Sequence, residues 1–310
     1  MGSSQRRKLI LGLVVGAAAA SSAALLVRRQ QVKRLALARQ VDEVTRRALQ
    51  ALSVPAKSQF LWVNGLRLHV VTAGPPDGPL ALLLHGFPEC WYSWRNQIAP
   101  LVNVGYRVVV PDQRGYNLSD KPSGVESYRI ERLTADIREL IRACGRERAV
   151  LVAHDWGGAV AWRFAMDYAS AVEKLVVMNA SHPAALAREM NISWRQRLKS
   201  WYMFFFQLPW LPEALLGFSP LASAQLFFRG AAVRPAFSDK DLQVMAAALA
   251  QRGGLRAMIH WYRAAFHYPP SKPNQIIEAP TLLIWAEDDV ALDKSLTRGL
   301  EKRVPSMTVH

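Results

Sequence analysis

Nine residues, Val150-Leu-Val-Ala-His-Asp-Trp-Gly-Gly158, constrain this chain more than any others. The run Val150–Ala153 is apolar throughout, as in a strand buried on both faces, and a helical pattern over Gly158–Tyr168 follows with no linker. A sharp turn must join the two, and such a turn needs small residues beside its apex, here Ala153 and Gly157. Asp155 stands at that apex, at a helix N-terminus, where the dipole favours negative charge. An aspartate that merely caps the helix is the plain alternative.

The rest of the body repeats the strand-and-helix rhythm. Ala81–Leu84, Val108–Val110, Leu175–Met178 and Leu282–Trp285 are further short apolar runs, and Arg129–Ala143 has helical spacing. This alternation predicts an α/β fold with a mostly parallel sheet flanked by helices. Ahead of it, Leu61–Val63 and Leu66–Val71 flank Asn64-Gly65, a two-residue hairpin turn in which Gly accepts positive φ. The rhythm breaks between Asn179 and Leu282, where about a hundred residues rich in Trp, Phe, Leu and Arg intervene, too many for a structureless loop. Their helical spacing, punctuated by Pro209, Pro212, Pro220 and Pro269-Pro270, predicts an inserted helical cap.

The formal charge of +15 points to an anionic partner, nucleic acid or a membrane surface. Residues 1–50 hold ten Lys/Arg against Asp42 and Glu43, and 10 − 2 = +8 is more than half of that excess. No zinc-finger spacing, RNA-recognition signature or phosphate loop accompanies it, so nucleic acid is not expected. Leu9–Val27 instead runs without a charge between Arg6-Arg7-Lys8 and Arg28-Arg29. At about 1.5 Å per residue it spans roughly 29 Å, close to a bilayer core. A single-pass N-terminal membrane anchor is therefore expected, with a cleaved signal peptide as its rival. The more basic C-terminal flank favours a cytoplasmic body, and the endoplasmic reticulum fits such an anchor. From Leu35 to Leu52 an amphipathic pattern reads as a juxtamembrane helix able to lie on a lipid surface. Cys90 and Cys144 are too few for a disulfide framework and have no metal-ligand partners at useful spacing, so no metal or cofactor is expected.

Two further segments complete a pattern with the Asp155 turn: His85-Gly-Phe-Pro88, and Asp112-Gln-Arg-Gly-Tyr-Asn-Leu-Ser-Asp-Lys-Pro122. Together they resemble the α/β-hydrolase superfamily and, within it, the epoxide hydrolases, specifically the membrane-anchored type numbered 3 and 4. The likeness runs from about Gln59 to the C-terminus. It implies an α/β-hydrolase fold divided as follows: anchor and basic flanks 1–34, juxtamembrane helix and linker 35–58, first part of the core 59–184, cap 185–272, second part of the core 273–310. It also implies Asp155 as nucleophile, with the backbone N–H groups of Phe87 and Trp156 as oxyanion hole. Two cap tyrosines of the family hold the epoxide oxygen. Tyr202 ahead of Phe206-Gln207-Leu208-Pro209, and Tyr262 in Trp261-Tyr262-Arg263, match those elements. Ring opening develops alkoxide charge, which a phenol stabilises or protonates. The third acid, from Ala286-Glu-Asp-Asp289, is taken as Asp289, since Asn179 at the other family position carries no charge.

The family's water-activating histidine follows the last strand, here around Thr308-Val309-His310. The chain stops there, so the resemblance implies a C-terminally truncated member whose core is incomplete, able to be alkylated at Asp155 but defective in turnover. A haloalkane or haloacid dehalogenase, which uses the same aspartate chemistry, and a non-catalytic membrane-bound binding protein on this scaffold are the alternatives.

Overall fold

A computed structural model describes residues 25–230, 236–269 and 275–310. Most of Leu9–Val27, the expected anchor, lies outside them, and no described helix is long and apolar enough to cross a membrane. The described part begins in a helix, α1 (residues 25–39), followed by α2 (Val41–Gln50). The amphipathic pattern over 35–52 is thus two helices, and its apolar stripe is already used. Val41, Thr45 and Ala48 of α2 are buried, and the helix packs on the body rather than presenting that face outward. Sequence periodicity reveals an apolar face but not what covers it.

Eight strands form one sheet in the order β1-β2-β4-β3-β5-β6-β7-β8. β1 (Ala56–Val63) and β2 (Leu66–Ala73) are the antiparallel hairpin, turning through Asn64 (φ 50°) and Gly65 (φ 75°). The first strand therefore starts at Ala56, three residues before the boundary expected at 59. β2 pairs antiparallel with β4 (Arg107–Pro111). From there to the far edge every pairing is parallel: β3 (Leu80–Leu84), β5 (Ala149–His154), β6 (Val172–Met178), β7 (Thr281–Ile284) and β8 (Met307–Val309). β3 is buried along its whole length and β5 through Ala153, as strands covered on both faces must be. Helices α3 (Arg95–Asn103), α4 (Ile130–Ala143) and α5 (Trp156–Asp167) join these strands.

The strand order decides where chemistry can sit. The chain leaves β3 for β4 on one side and returns to place β5 on the other, so β3 is the strand at which the winding reverses. Ligands of such sheets bind at the carboxyl ends of the strands flanking that point. Here Leu84 pairs with Ala153, which sets the loop after β3 beside the turn after β5. Between β6 and β7 the chain builds the cap: α6 (Pro183–Ile192), α7 (Trp194–Lys199), α8 (Trp201–Phe205), α9 (Leu211–Phe218), α10 (Pro220–Phe228), α11 (Asp239–Leu249) and α12 (Gly254–His267). Ser238 and Asp241 form a reciprocal capping box that starts α11.

Candidate active site

Asp155 turns the chain from β5 into α5 with φ 49° and ψ −120°, a strained conformation for any residue with a Cβ. The turn is held shut by contact. A Cβ on Gly157 would overlap the carbonyl of Leu84, and one on Gly86 would overlap the Asp155 side chain itself. Asp155 does not cap its own helix. Its Oδ1 instead accepts the Phe87 N–H at 2.7 Å, and the Trp156 N–H lies near enough to the carboxylate to favour its charged form. The backbone donors of Phe87 and Trp156 thus converge on the carboxylate at the apex.

Above it lie aromatic rings from the cap. Tyr262, on α12, sits edge-on to Trp156 at 5.0 Å and to Phe87 at 5.3 Å between centroids. Tyr202, on α8, faces Tyr262 at 5.9 Å. The two predicted tyrosines, a long way apart in sequence, meet ring to ring, and both lie close enough to Asp155 to feel its charge. Burial, and then the negative charge of Asp155, push both phenols well above their ordinary range, so they remain protonated donors. Burial also raises the Asp155 carboxyl, opposed by the nearby His154 cation and the two backbone N–H groups.

Asp289 occupies the turn after β7. Its Oδ1 accepts the N–H groups of Ala291 and Leu292, and its Oδ2 accepts Asn179 Nδ2 at 2.7 Å. Its field reaches Tyr202 and His154. The cap grips this loop directly. Gln196 of α7 donates to the Ala291 carbonyl and accepts the Asp293 N–H, while Lys199 Nζ donates to the Asp289 carbonyl at 2.6 Å. Asn179 (φ 39°) ends β6 and ties the turn from the other side, accepting the Ala286 N–H.

Sequence reasoning missed Glu89. It lies just past His85-Gly-Phe-Pro88, accepts the Gly86 N–H and faces His154 Nδ1 at 3.3 Å. Burial alone would lower the His154 pKa, but the Glu89 carboxylate overrides it and lifts it to about 9. Burial would likewise raise the Glu89 carboxyl, and the His154 cation holds it below the usual value. A charged pair thus lies beside Asp155. An acid within two residues of the Gly-Pro turn was the available signal. Buried Asp112 fixes the neighbouring loops, accepting from the Trp91 N–H, from Asn117 Nδ2 and from His69 Nδ1 at 2.6 Å. His85, buried and so shifted down, accepts the Gln113 N–H on Nε2 and donates from Nδ1 to the Gly86 carbonyl. A groove of about 530 Å³ between α2 and α3 is lined by none of the candidate site residues, and the chemistry lies elsewhere.

A doubly wound sheet with a charged apex residue after its central strand, roofed by an inserted cap, defines the α/β-hydrolase class, here with a carboxylate at the apex. Comparison with known proteins narrows this. The alpha/beta hydrolase fold family matches residues 79–310. The AB hydrolase superfamily protein YfhM of Bacillus subtilis is 44% identical over 81% of this chain and 87% of its own length. Epoxide hydrolase 1 of Caenorhabditis elegans is 41% identical over 76% of this chain, and the match spans 59% of that longer protein. Among solved structures, an epoxide hydrolase of Bacillus megaterium in complex with an inhibitor superimposes with a TM-score of 0.74 at 33% identity, covering 81% of this chain and 90% of that one. The chain belongs to the epoxide hydrolases of the α/β-hydrolase family.

Proposed function

We propose that this chain opens epoxides through a covalent ester on Asp155. A carboxylate oxygen attacks the less hindered ring carbon, forming a new C–O bond while the ring C–O bond breaks. The released electron pair goes to the ring oxygen, which takes a proton from Tyr202 or Tyr262. The product of this step is a hydroxyalkyl ester of Asp155. Water adding to its carbonyl would place an oxyanion on the N–H groups of Phe87 and Trp156, with Asp289 as the supporting acid. The observation that carries the reading is the pairing of one buried carboxylate with two protonated phenols in an otherwise apolar chamber.

The hydrolytic half-reaction needs a base, and among the described residues no histidine side chain is hydrogen-bonded to Asp289. Asp289 bonds to Asn179, Ala291 and Leu292 rather than to an imidazole. His154 is held protonated by Glu89, and His310 continues the pairing of β8 with β7 through its backbone. A membrane location through Leu9–Val27 rests on sequence alone.

Intact-mass and peptide spectra after treatment with an aryl epoxide test the proposal. The expected result is an adduct of one epoxide mass on the peptide containing Asp155 in acid-quenched samples, absent from Asp155→Asn. No adduct, or one that maps elsewhere, refutes the nucleophile.

A further inference from the structure

The outer face of the cap is apolar in a way that packing does not explain. Trp194 and Leu198 lie four apart on α7, and Trp201 and Phe204 three apart on α8; all four are more than half exposed. The opposite side of the same segment is closed, with Gln196 and Ser200 buried. Trp210, 73% exposed, and Leu215 extend the apolar surface onto α9. Isolated exposed apolar residues are ordinary on a folded protein, whereas a run of exposed Trp, Phe and Leu along consecutive helices marks an interaction site. Tryptophan favours the boundary between hydrocarbon and water, where its ring is apolar and its N–H is wet.

Charge says what lies opposite. Residues 191–229 contain Arg195, Arg197, Lys199 and Arg229 against one acid, Glu213, whose carboxylate is taken by Arg263 at 2.6 Å. Arg195 lies over the Trp194 ring. α1, whose Arg34 Nη1 would lie 3.5 Å from a Cβ at Gly217 on α9, carries Arg28, Arg29, Lys33, Arg34 and Arg39 and no acid. Arg34 Nε reaches the Ala250 carbonyl at 3.4 Å and Gln251 Nε2 reaches the Ala38 carbonyl at 3.3 Å, so α1 is fixed to the cap. It exposes Leu25, Val32 and Leu35, and the uncharged run Leu9–Val27 leads into it. Interleaved aromatic and basic side chains with few acids match an anionic lipid surface, in which apolar groups enter the acyl boundary and cations meet headgroups.

We propose that the outer face of α7–α9, continued by α1, docks on an anionic bilayer surface. The docking stands independently of the chemistry at Asp155; its consequence for substrate choice rests on that chemistry. Trp201 and Phe204 point out from α8, whereas Tyr202 on the same short helix points to Tyr262. One helix thus separates the lipid-facing surface from the chamber. Epoxides dissolved in the bilayer, of low water solubility, are the class delivered.

The full chain tests this through a polarity-sensitive thiol dye. Cys90 and Cys144 are buried, so the dye reports Trp201→Cys on the docking face and, as control, Val104→Cys in the exposed turn before β4, at the amino ends of the strands. With phosphatidylcholine vesicles containing phosphatidylserine, the dye at 201 shifts to the blue and is quenched by nitroxide-bearing acyl chains, while the dye at 104 does neither. Adding Trp194→Ser and Leu198→Ser lowers the vesicle affinity of the docked state about tenfold, and high salt weakens it further. An unshifted dye at 201 overturns the proposal even if the chain sediments with vesicles. A shift that grows with protein concentration without lipid assigns the face to a second copy instead. A shift already present in dilute lipid-free protein assigns it to the chain's own N-terminal stretch. Adduct formation at Asp155 in detergent is measured in parallel, so failure of docking and failure of the chemistry are read separately.

Discussion

Replacing Gly157 with alanine adds one methyl group at the place where the sheet and the nucleophile are locked together. That Cβ would overlap the Leu84 carbonyl and lie 2.6 Å from the His85 carbonyl oxygen. Both are backbone at the carboxyl end of β3, so no rotamer change relieves the clash. Restoring ordinary contact requires a displacement of about 1 Å, and overpacking against backbone costs about 3 kcal/mol. The displaced segment carries Phe87, whose N–H lies 2.7 Å from Asp155 Oδ1, so the nucleophile loses its alignment as well. A misplacement of that size slows a positioned reaction about a hundredfold. Gly86→Ala probes the same lock from the other side, because the atoms nearest its methyl are Asp155 Cβ and Oδ1. It should slow alkylation comparably while costing about 1 kcal/mol of stability. Gly254→Ala, whose nearest neighbour is Lys121 Cε at 3.5 Å, is the control and should leave both unchanged or add a few tenths of a kcal/mol. Urea unfolding followed by tryptophan fluorescence gives the stabilities, and timed mass spectra of the adduct give the rates. If Gly157→Ala unfolds at the parent's midpoint and is alkylated at the parent's rate, the elbow is not closed by steric contact and this account of Asp155 is wrong.

Tyr262→Phe and Tyr202→Phe each remove one donor to the developing alkoxide and should slow adduct formation about a hundredfold without changing the thermal midpoint by more than a degree or two. An unaffected rate in the double variant would remove the phenols from the reaction. The His154 pKa is raised from 6.5 to about 9, so the folded state binds that proton more tightly than the unfolded chain does. Its contribution is complete below about pH 6.5 and is lost as pH rises through about 9. Because the His154 side chain is 39% exposed, the loss is discounted to about 1 kcal/mol. Stability measured against pH should show it in the parent and not in Glu89→Gln. Arg114→Ala strands Asp136, which accepts two guanidinium hydrogen bonds at 2.7 and 2.6 Å in a site that is nearly fully buried. Calorimetry should show a loss of about 3 to 5 kcal/mol, and a loss below 1 kcal/mol would mean that Asp136 is protonated or rehydrated in the variant.

Local signals were legible wherever a few consecutive residues determine the outcome. Val150–Gly158 specified strand, turn and helix because burial, small neighbours and an immediate helix leave one way to fold. Asn64-Gly65 specified its hairpin through positive φ. Long-range pairing was not legible. That β4 lies between β2 and β3 is set by packing across the whole sheet, and Val108–Val110 reads the same in any order. The pairing of Tyr202 with Tyr262 came from the resemblance, since two tyrosines sixty positions apart have no local sign that they meet. Glu89 was passed over because its role depends on His154, which approaches only when β3 and β5 pair. Asn179 was considered only as an absent acid, whereas its amide secures the Asp289 turn from both ends. The amphipathic stripe of α2 was read toward lipid, although the body itself covers it.

The grip of α7 on the turn at 289–293 limits how the chamber can be filled and emptied. A hinged lid would have to carry Gln196 off Ala291 and Asp293, and Lys199 off Asp289, each time it swung. Opening wide and keeping that acid seated are therefore mutually exclusive. On the proposed chemistry, an epoxide then reaches Asp155 as side chains step aside one at a time, through a turnstile rather than a door.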